Sequence, residues 1–244
     1  MTRSKIVRPV LLLIIMIFMV IGCTSKEDET FLEKVKGTGF AYSEYYKSVD
    51  QQDERKNVTY YTPLSIDEML NTAPNFIKNS IHPIDIEKLP FQVNEQTAYV
   101  VTSEDANENT QNQVQLTYTH TDEYNQTEEF FIITVTELNE NPLDKYDFSK
   151  QQTDTAGNEL RKEILKDDIP IFHQVITTDG ALAYRYYSYD ETNKQVSTVV
   201  TSANELYTYY NGYLYHVGYV TENKNTKEVQ EEILQLTKEF VLGI

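Results

Sequence analysis

Cysteine occurs once in the 244 residues, tryptophan is absent, and glycine (8) and proline (7) are both scarce. Each shortage removes a class of protein. One cysteine allows neither an intramolecular disulfide nor a thiolate metal cluster. With so little glycine there is no phosphate-cradling loop, and neither a Walker A run nor a dinucleotide fingerprint is present. No G-x-S-x-G elbow supplies a nucleophilic serine. Positive charge is short as well: 21 Lys and Arg stand against 38 Asp and Glu, a formal net charge of −17. Such a surface repels phosphate backbones, so nucleic acid is excluded as a partner. The acidity fits solubility first and a cationic ligand second. What remains is a globular composition, 40% hydrophobic and 24% charged, that must fold on its apolar core alone.

The N-terminus carries the sharpest signal. Arg3, Lys5 and Arg8 precede an unbroken apolar run of 12 residues, Val10 to Ile21. A helix needs about 20 apolar residues to span a bilayer, so this run matches the core of a secretory signal instead. It ends in Val20-Ile21-Gly22-Cys23, which resembles the lipobox of bacterial lipoproteins. The resemblance implies thioether attachment of diacylglycerol to Cys23 and cleavage between Gly22 and Cys23. The competing reading is an uncleaved signal anchor with an incidental cysteine. A lone thiol in an oxidising compartment is a liability unless capped, which favours the lipid. Cleavage removes three cations and no anion, taking the mature chain to −20. The expected organisation is a signal peptide at 1–22, a tether and linker at 23–61 with one short helix, and an extracytoplasmic domain at 62–244. Polar residues Thr24 to Glu29 begin the tether.

Within the domain, Ser65-Ile66-Asp67-Glu68 is a capping box that opens a short helix, which Pro74 ends. Phe76, Ile77 and Ile81 continue the apolar stretch. From Thr97 the period changes to two. Tyr99 and Val101 alternate with Ala98 and Val100; Val114, Leu116 and Tyr118 share one face; so do Phe131, Ile133 and Val135. These read as an antiparallel meander. Residues 139–168 are weaker, with Leu160, Ile164 and Leu165 forming either a short helix or a poor strand. Strands resume at Ile171–Thr178, Ala181–Tyr189, Val196–Thr201, Leu206–Tyr210 and Tyr213–Val220, with Asp179-Gly180 and Asn211-Gly212 as hairpin turns. A final helix, capped by Asn225 with Glu228 at its third position, carries Val229, Ile233, Leu236 and Phe240 on one stripe and stops at Gly243. The expected class is α+β: a curved antiparallel sheet with a C-terminal helix on one face and a short N-terminal helix.

Chemistry is sparse. Asp105, Asn107 and Asn109 occupy the first calcium-loop positions, but Thr110 replaces the turn glycine and Leu116 the bidentate glutamate. That reads as a solvated loop. His82, His120, His173 and His216 are scattered, although His173 and His216 fall in strands that could bring them together. No metal or cofactor site is expected. Tyrosine is the distinctive feature, with ten of 19 falling between Tyr184 and Tyr219. Alternation pairs Tyr207 with Tyr209, and Tyr213 with Tyr215 and Tyr219. They read either as a binding face for a peptide, glycan or lipid, or as the half-exposed side of an ordinary sheet.

Leu89-Pro90-Phe91, Val114–Tyr118, Phe130–Thr136, the run Tyr209-Tyr210-Asn211-Gly212-Tyr213-Leu214-Tyr215-His216-Val217 and Val229–Phe240 carry a second resemblance. They are similar to a family of unknown function found in Gram-positive lipoproteins and in the outer domains of anti-sigma-factor-like membrane proteins. The tryptophan that this pattern expects near the last hairpin is missing. The resemblance implies a curved sheet with helices on its concave side and no catalytic residues. The leading expectation is therefore a non-enzymatic domain anchored to the cell membrane by the lipid on Cys23. It would bind or sense a small ligand or an envelope protein. Alternatives are an envelope hydrolase built from dispersed residues and a structural accessory subunit.

Overall fold

The alternation that begins at Thr97 belongs to a sheet of 11 strands. The computed structural model describes residues 32–38, 56–72, 77–104, 108–123, 126–145, 152–154, 156–179, 184–221 and 226–244. The signal segment, Gly22 and Cys23, residues 24–29, Pro74, Phe76, Asp105, Asn107, Gly180 and Asn225 lie outside the described residues. The strands are β1 (Lys34–Thr38), β2 (Lys56–Tyr61), β3 (Glu95–Glu104), β4 (Thr110–Thr121), β5 (Thr127–Glu137), β6 (Glu159–Lys166), β7 (Ile169–Val175), β8 (Tyr184–Asp190), β9 (Gln195–Thr201), β10 (Asn204–Tyr210) and β11 (Tyr213–Val220). Among the described residues two α-helices accompany them, α1 (Ile66–Thr72) between β2 and β3 and α2 (Lys227–Leu242) after β11. The strand order is β6-β7-β10-β11-β5-β4-β3-β2-β1-β9-β8.

Three expectations need correction. The sheet is mixed rather than antiparallel, because β1 runs parallel to β9 over Lys36–Thr38 after pairing with β2 at Lys34 and Val35. Lys34–Thr38 and Lys56–Tyr61, assigned to the linker, are strands of this sheet. Their sequences carry no clean period, and their order comes from neighbours: Val35, Val58 and Tyr60 pack with Tyr99 and Val101. Finally, α2 begins one residue later than read. Thr226 is its N-cap, accepting from Val229 N, so Glu228 is the second helical residue.

Other local features follow the sequence. Ser65 Oγ accepts from Glu68 N at 3.2 Å, while Glu68 Oε2 accepts from Ser65 N at 2.9 Å. The Ser65 hydroxyl, which donates to Glu68 Oε2 at 2.7 Å, and then the Ser65 amide hold the Glu68 carboxyl below its usual range. Asn211 (φ 51°) and Gly212 (φ 87°) form the β10–β11 turn, with both central residues left-handed as a tight hairpin demands. Gly243 closes α2 at φ 66°. Residues 159–166 resolve as strand β6, paired along β7.

Pairing across β3, β4, β5 and β11 separates two faces. One carries Ala98, Val100, Leu116, Tyr118, Phe131, Ile133, Tyr215, Val217 and Tyr219. Against it pack Ile66 and Met69 of α1, Ile77, Ile81 and Phe91, and Ile233, Leu236 and Phe240 of α2. The stripe read on the last helix is thus its docking face. The opposite face carries Gln113, Gln115, Thr117, Thr119, Thr134, Thr136 and His216, all buried. The β8–β9 hairpin lies on it: Gln115 Oε1 accepts from Tyr187 N at 2.8 Å, and Tyr184 and Tyr186 meet Phe130. Gly218 makes room there, since a Cβ would fall 2.2 Å from the Tyr184 ring.

Candidate functional site

The register divides the five tyrosines read as one binding face. Tyr207 and Tyr209 of β10 stand opposite His216 and Leu214, whereas Tyr213, Tyr215 and Tyr219 of β11 stand opposite Tyr210, Thr208 and Asn204. Because paired residues share a side, the two groups project to opposite faces. Tyr207, Tyr215 and Tyr219 are buried, and only Tyr209 and Tyr213 are partly exposed. Burial pushes the Tyr215 and Tyr219 hydroxyls well above the ordinary tyrosine range. These tyrosines are packing residues in two cores rather than one platform.

The same register separates the two strand histidines. His173 pairs with Leu206, and Leu206 with Val217, while His216 pairs with Tyr207 and Thr134. His173 therefore lies on the helix-covered face and His216 on the polar one. His120 Nδ1 lies 2.9 Å from Gln92 O, and His82 meets Phe240 edge-on. Among the described residues no group of three or more His, Cys, Asp or Glu is placed to hold a metal ion.

His216 belongs to a buried cluster. Its Nε2 lies 2.6 Å from Glu205 Oε2, the same oxygen that accepts from the Tyr207 hydroxyl. Tyr207 stacks on the imidazole at 4.4 Å, and Tyr184 closes over it edge-on at 5.2 Å. His216 Nδ1 is buried with no hydrogen-bond partner among the described residues. A carboxylate, an imidazole and a phenol in contact could move protons, but here all three are buried.

An open site lies on the helix-covered face, where β6 and β7 meet the first half of α2. Glu159, Arg161, Glu163 and His173 line one wall and Lys227, Gln230, Glu231 and Leu234 the other, enclosing about 380 Å³. Glu159, Arg161 and Glu163 alternate along β6, so all three point the same way. Their polar neighbours across the gap, Lys227, Gln230 and Glu231, come from the first turns of α2, before Ile233 begins the tight apolar packing. The interface is therefore polar where a helix on a sheet is ordinarily apolar, and it stays open.

Arg161 organises the cleft. Its Nε and Nη2 donate to the two Glu159 oxygens at 2.8 and 2.6 Å, and its Nη1 donates to Gln230 Oε1 at 2.9 Å. The fork holds the Glu159 carboxyl below its usual range and raises Arg161 in return. His173 forms the floor, with Nε2 2.8 Å from the Tyr219 hydroxyl. Burial, with Arg161 nearby, pushes its pKa down to about 4, so the ring is neutral at pH 7. Lys227 and Glu231 sit at the mouth, 3.7 Å apart and largely exposed.

Sequence reasoning singled out His173 but missed Arg161, Glu159, Glu163 and Gln230. The signal was a polar residue at every second position of 159–163, legible only if the segment is read as a strand. Compared with models of known families, with curated proteins and with solved structures, the chain matches none.

Proposed function

We propose that this chain is a non-catalytic lipoprotein, held at the outer side of the cell membrane by lipid on Cys23, that binds a small ligand in the cleft between β6–β7 and α2. The cleft carries the reading. Its volume lies at the lower end of ligand pockets, roughly 300–1,000 Å³, and its polar walls are held in place by the Arg161 fork. The anchor rests on the basic segment, the short apolar run and the sole cysteine. Among the described residues no helix is long and apolar enough to cross a membrane. The resemblance to Gram-positive lipoproteins and anti-sigma-like outer domains agrees with a sensing role. Contact of β8–β9 with the face of β4 and β5 supports a sheet curved onto itself, as that resemblance implies.

A hydrolase is the second reading, because His173 and carboxylates do share the cleft. It is weaker on chemistry. The lining offers no serine, threonine or cysteine nucleophile. Glu159 is engaged by Arg161, and a histidine of pKa about 4 is a poor general base at neutral pH. An accessory subunit would present a broad apolar patch. The exposed large apolar side chains among the described residues are Ile86, Ile164, Val200 and Ile244, each on a separate segment.

Two measurements test the proposal. Intact-mass analysis of the membrane-extracted protein should give a chain starting at lipid-bearing Cys23; any other start, or no lipid mass, defeats the anchor. Calorimetric titration of that protein with small metabolites should show binding that Arg161→Gln abolishes. Heat that survives in the variant would move the ligand elsewhere.

A further inference from the structure

The distribution of unused donors and acceptors in the cleft narrows the ligand. Arginine carries five N–H donors. Glu159 takes two and Gln230 one, leaving one N–H on each terminal nitrogen of Arg161. His173 adds a donor below them. The Tyr219 hydroxyl is fully buried and has His173 Nε2 as its hydrogen-bond partner among the described residues. For the hydroxyl to donate, Nε2 must be the bare nitrogen, so Nδ1 carries the proton. Nδ1–H makes no hydrogen bond to a described residue. The floor of the cleft is therefore donor-rich, with His173 99% buried and the Arg161 side chain 24% exposed.

Acceptors are arranged further out. Glu163 follows Arg161 on the same face of β6, and its carboxylate makes no hydrogen bond or ion pair with a described residue. Glu231 at the mouth is 64% exposed and only loosely joined to Lys227. A simple anion would satisfy the floor but face Glu159, Glu163 and Glu231. A simple cation would satisfy Glu163 but face Arg161 and Lys227. Like-charge juxtaposition of this kind is how sites reject wrong partners.

We propose that the cleft binds a small zwitterion, its carboxylate on Arg161 and His173 at the floor and its ammonium group on Glu163 toward the mouth. This deepens the ligand-site reading above and rests on it. A free α-amino acid and a short peptide share that chemistry, and the size of the cleft admits a small one of either kind.

The test is isothermal titration of the full lipidated chain in detergent with five probes: L-alanine, L-alanyl-L-alanine, acetate, ethylamine and glucose. At least one of the first two should bind, with acetate and ethylamine each about tenfold weaker or worse. Which of the two binds separates free amino acid from peptide. Glu163→Gln should weaken the zwitterion about tenfold while leaving the circular-dichroism melting curve nearly in place, because this carboxylate makes no hydrogen bond or ion pair with a described residue and its charge acts only weakly on Arg161. Equal binding of acetate or ethylamine, or an unaltered Glu163→Gln titration, overturns the zwitterion. If glucose alone binds, the cleft remains a ligand site and the zwitterion falls. If no probe binds, both readings fall.

Discussion

On one face of β3, β4, β5 and β11 stand Val100, Leu116, Phe131, Ile133 and Val217; on the other stand Gln113, Gln115, Thr117, Thr134 and His216. Both faces are buried. The first is covered by helices and needs only shape. The second is covered by the β8–β9 hairpin and needs partners, because each buried polar atom without one costs about 1–3 kcal/mol. The apolar face therefore fixes how firmly the domain folds, and the polar face fixes how one hairpin sits. The candidate cleft is where the first face stops being apolar, at the β6–β7 edge.

The largest effect should come from the apolar face. Phe240 is 1% exposed, packs against Tyr215 and His82, and anchors the last turns of α2. Phe240→Ala should cost about 4 kcal/mol, a lost aromatic plus an unfilled cavity. Urea unfolding measures it. A loss below about 1 kcal/mol would show that α2 is not the lid of this core.

His173 gives the next largest effect and a sign that distinguishes the cleft. Its folded pKa of about 4 lies below the ordinary 6.5. Between those values the unfolded chain holds the proton and the folded chain does not, so acid favours unfolding. The contribution is complete above pH 6.5 and is lost as pH falls toward 4, reaching about 3 kcal/mol. Carboxylates also titrate there, so the measurement is the difference between the pH profiles of wild type and His173→Gln. Parallel profiles would place His173 in contact with water rather than beneath the cleft floor.

How much of this was legible depends on which face is considered. The apolar face was written in the period: Val114-Leu116-Tyr118, Phe131-Ile133-Val135 and the stripe of α2 all stand where alternation and helical spacing put them. The Ser65 cap and the Asn211-Gly212 turn are local chemistry, and local chemistry is readable. Burial of the polar face was not, because Gln113, Gln115 and Thr117 read as a solvated side until something covers them. The covering hairpin is distant in sequence, its Tyr187 meeting Gln115 across 72 positions. Register defeated the tyrosine face for a similar reason. Alternation groups tyrosines within a strand, but which side of one strand matches which side of the next is decided by the turn. The cleft is harder again, since Arg161 and Gln230 meet only after β6 and α2 have packed.

On the polar face Gln115 is the sharpest probe. Its amide donates to Thr117 Oγ1 and to Tyr187 O, while its carbonyl oxygen accepts from Tyr187 N. Gln115→Leu keeps the volume and strands the buried Tyr187 backbone, so about 2 kcal/mol should be lost. Hydrogen exchange should quicken in β8 and β9 before it does in β4. Uniform quickening across the sheet would mean that the hairpin and the main strands open as one unit.

The smallest effect should have the opposite sign. Thr119 projects from β4 on the polar side, opposite Phe130, and its hydroxyl is buried without a hydrogen-bond partner among the described residues. Valine has nearly the same shape and no hydroxyl, so Thr119→Val removes a desolvated donor and breaks no bond. An unsatisfied buried hydroxyl is a cost in the folded state alone, so Thr119→Val should stabilise by about 0.5–1 kcal/mol. Paired with Gln115→Leu, it asks whether polarity on this face helps wherever it occurs or only where it is bonded. If Thr119→Val destabilises as Gln115→Leu does, the hydroxyl is bonded to buried water. The polar face would then be a hydrated layer beneath the hairpin rather than a dry one with particular latches.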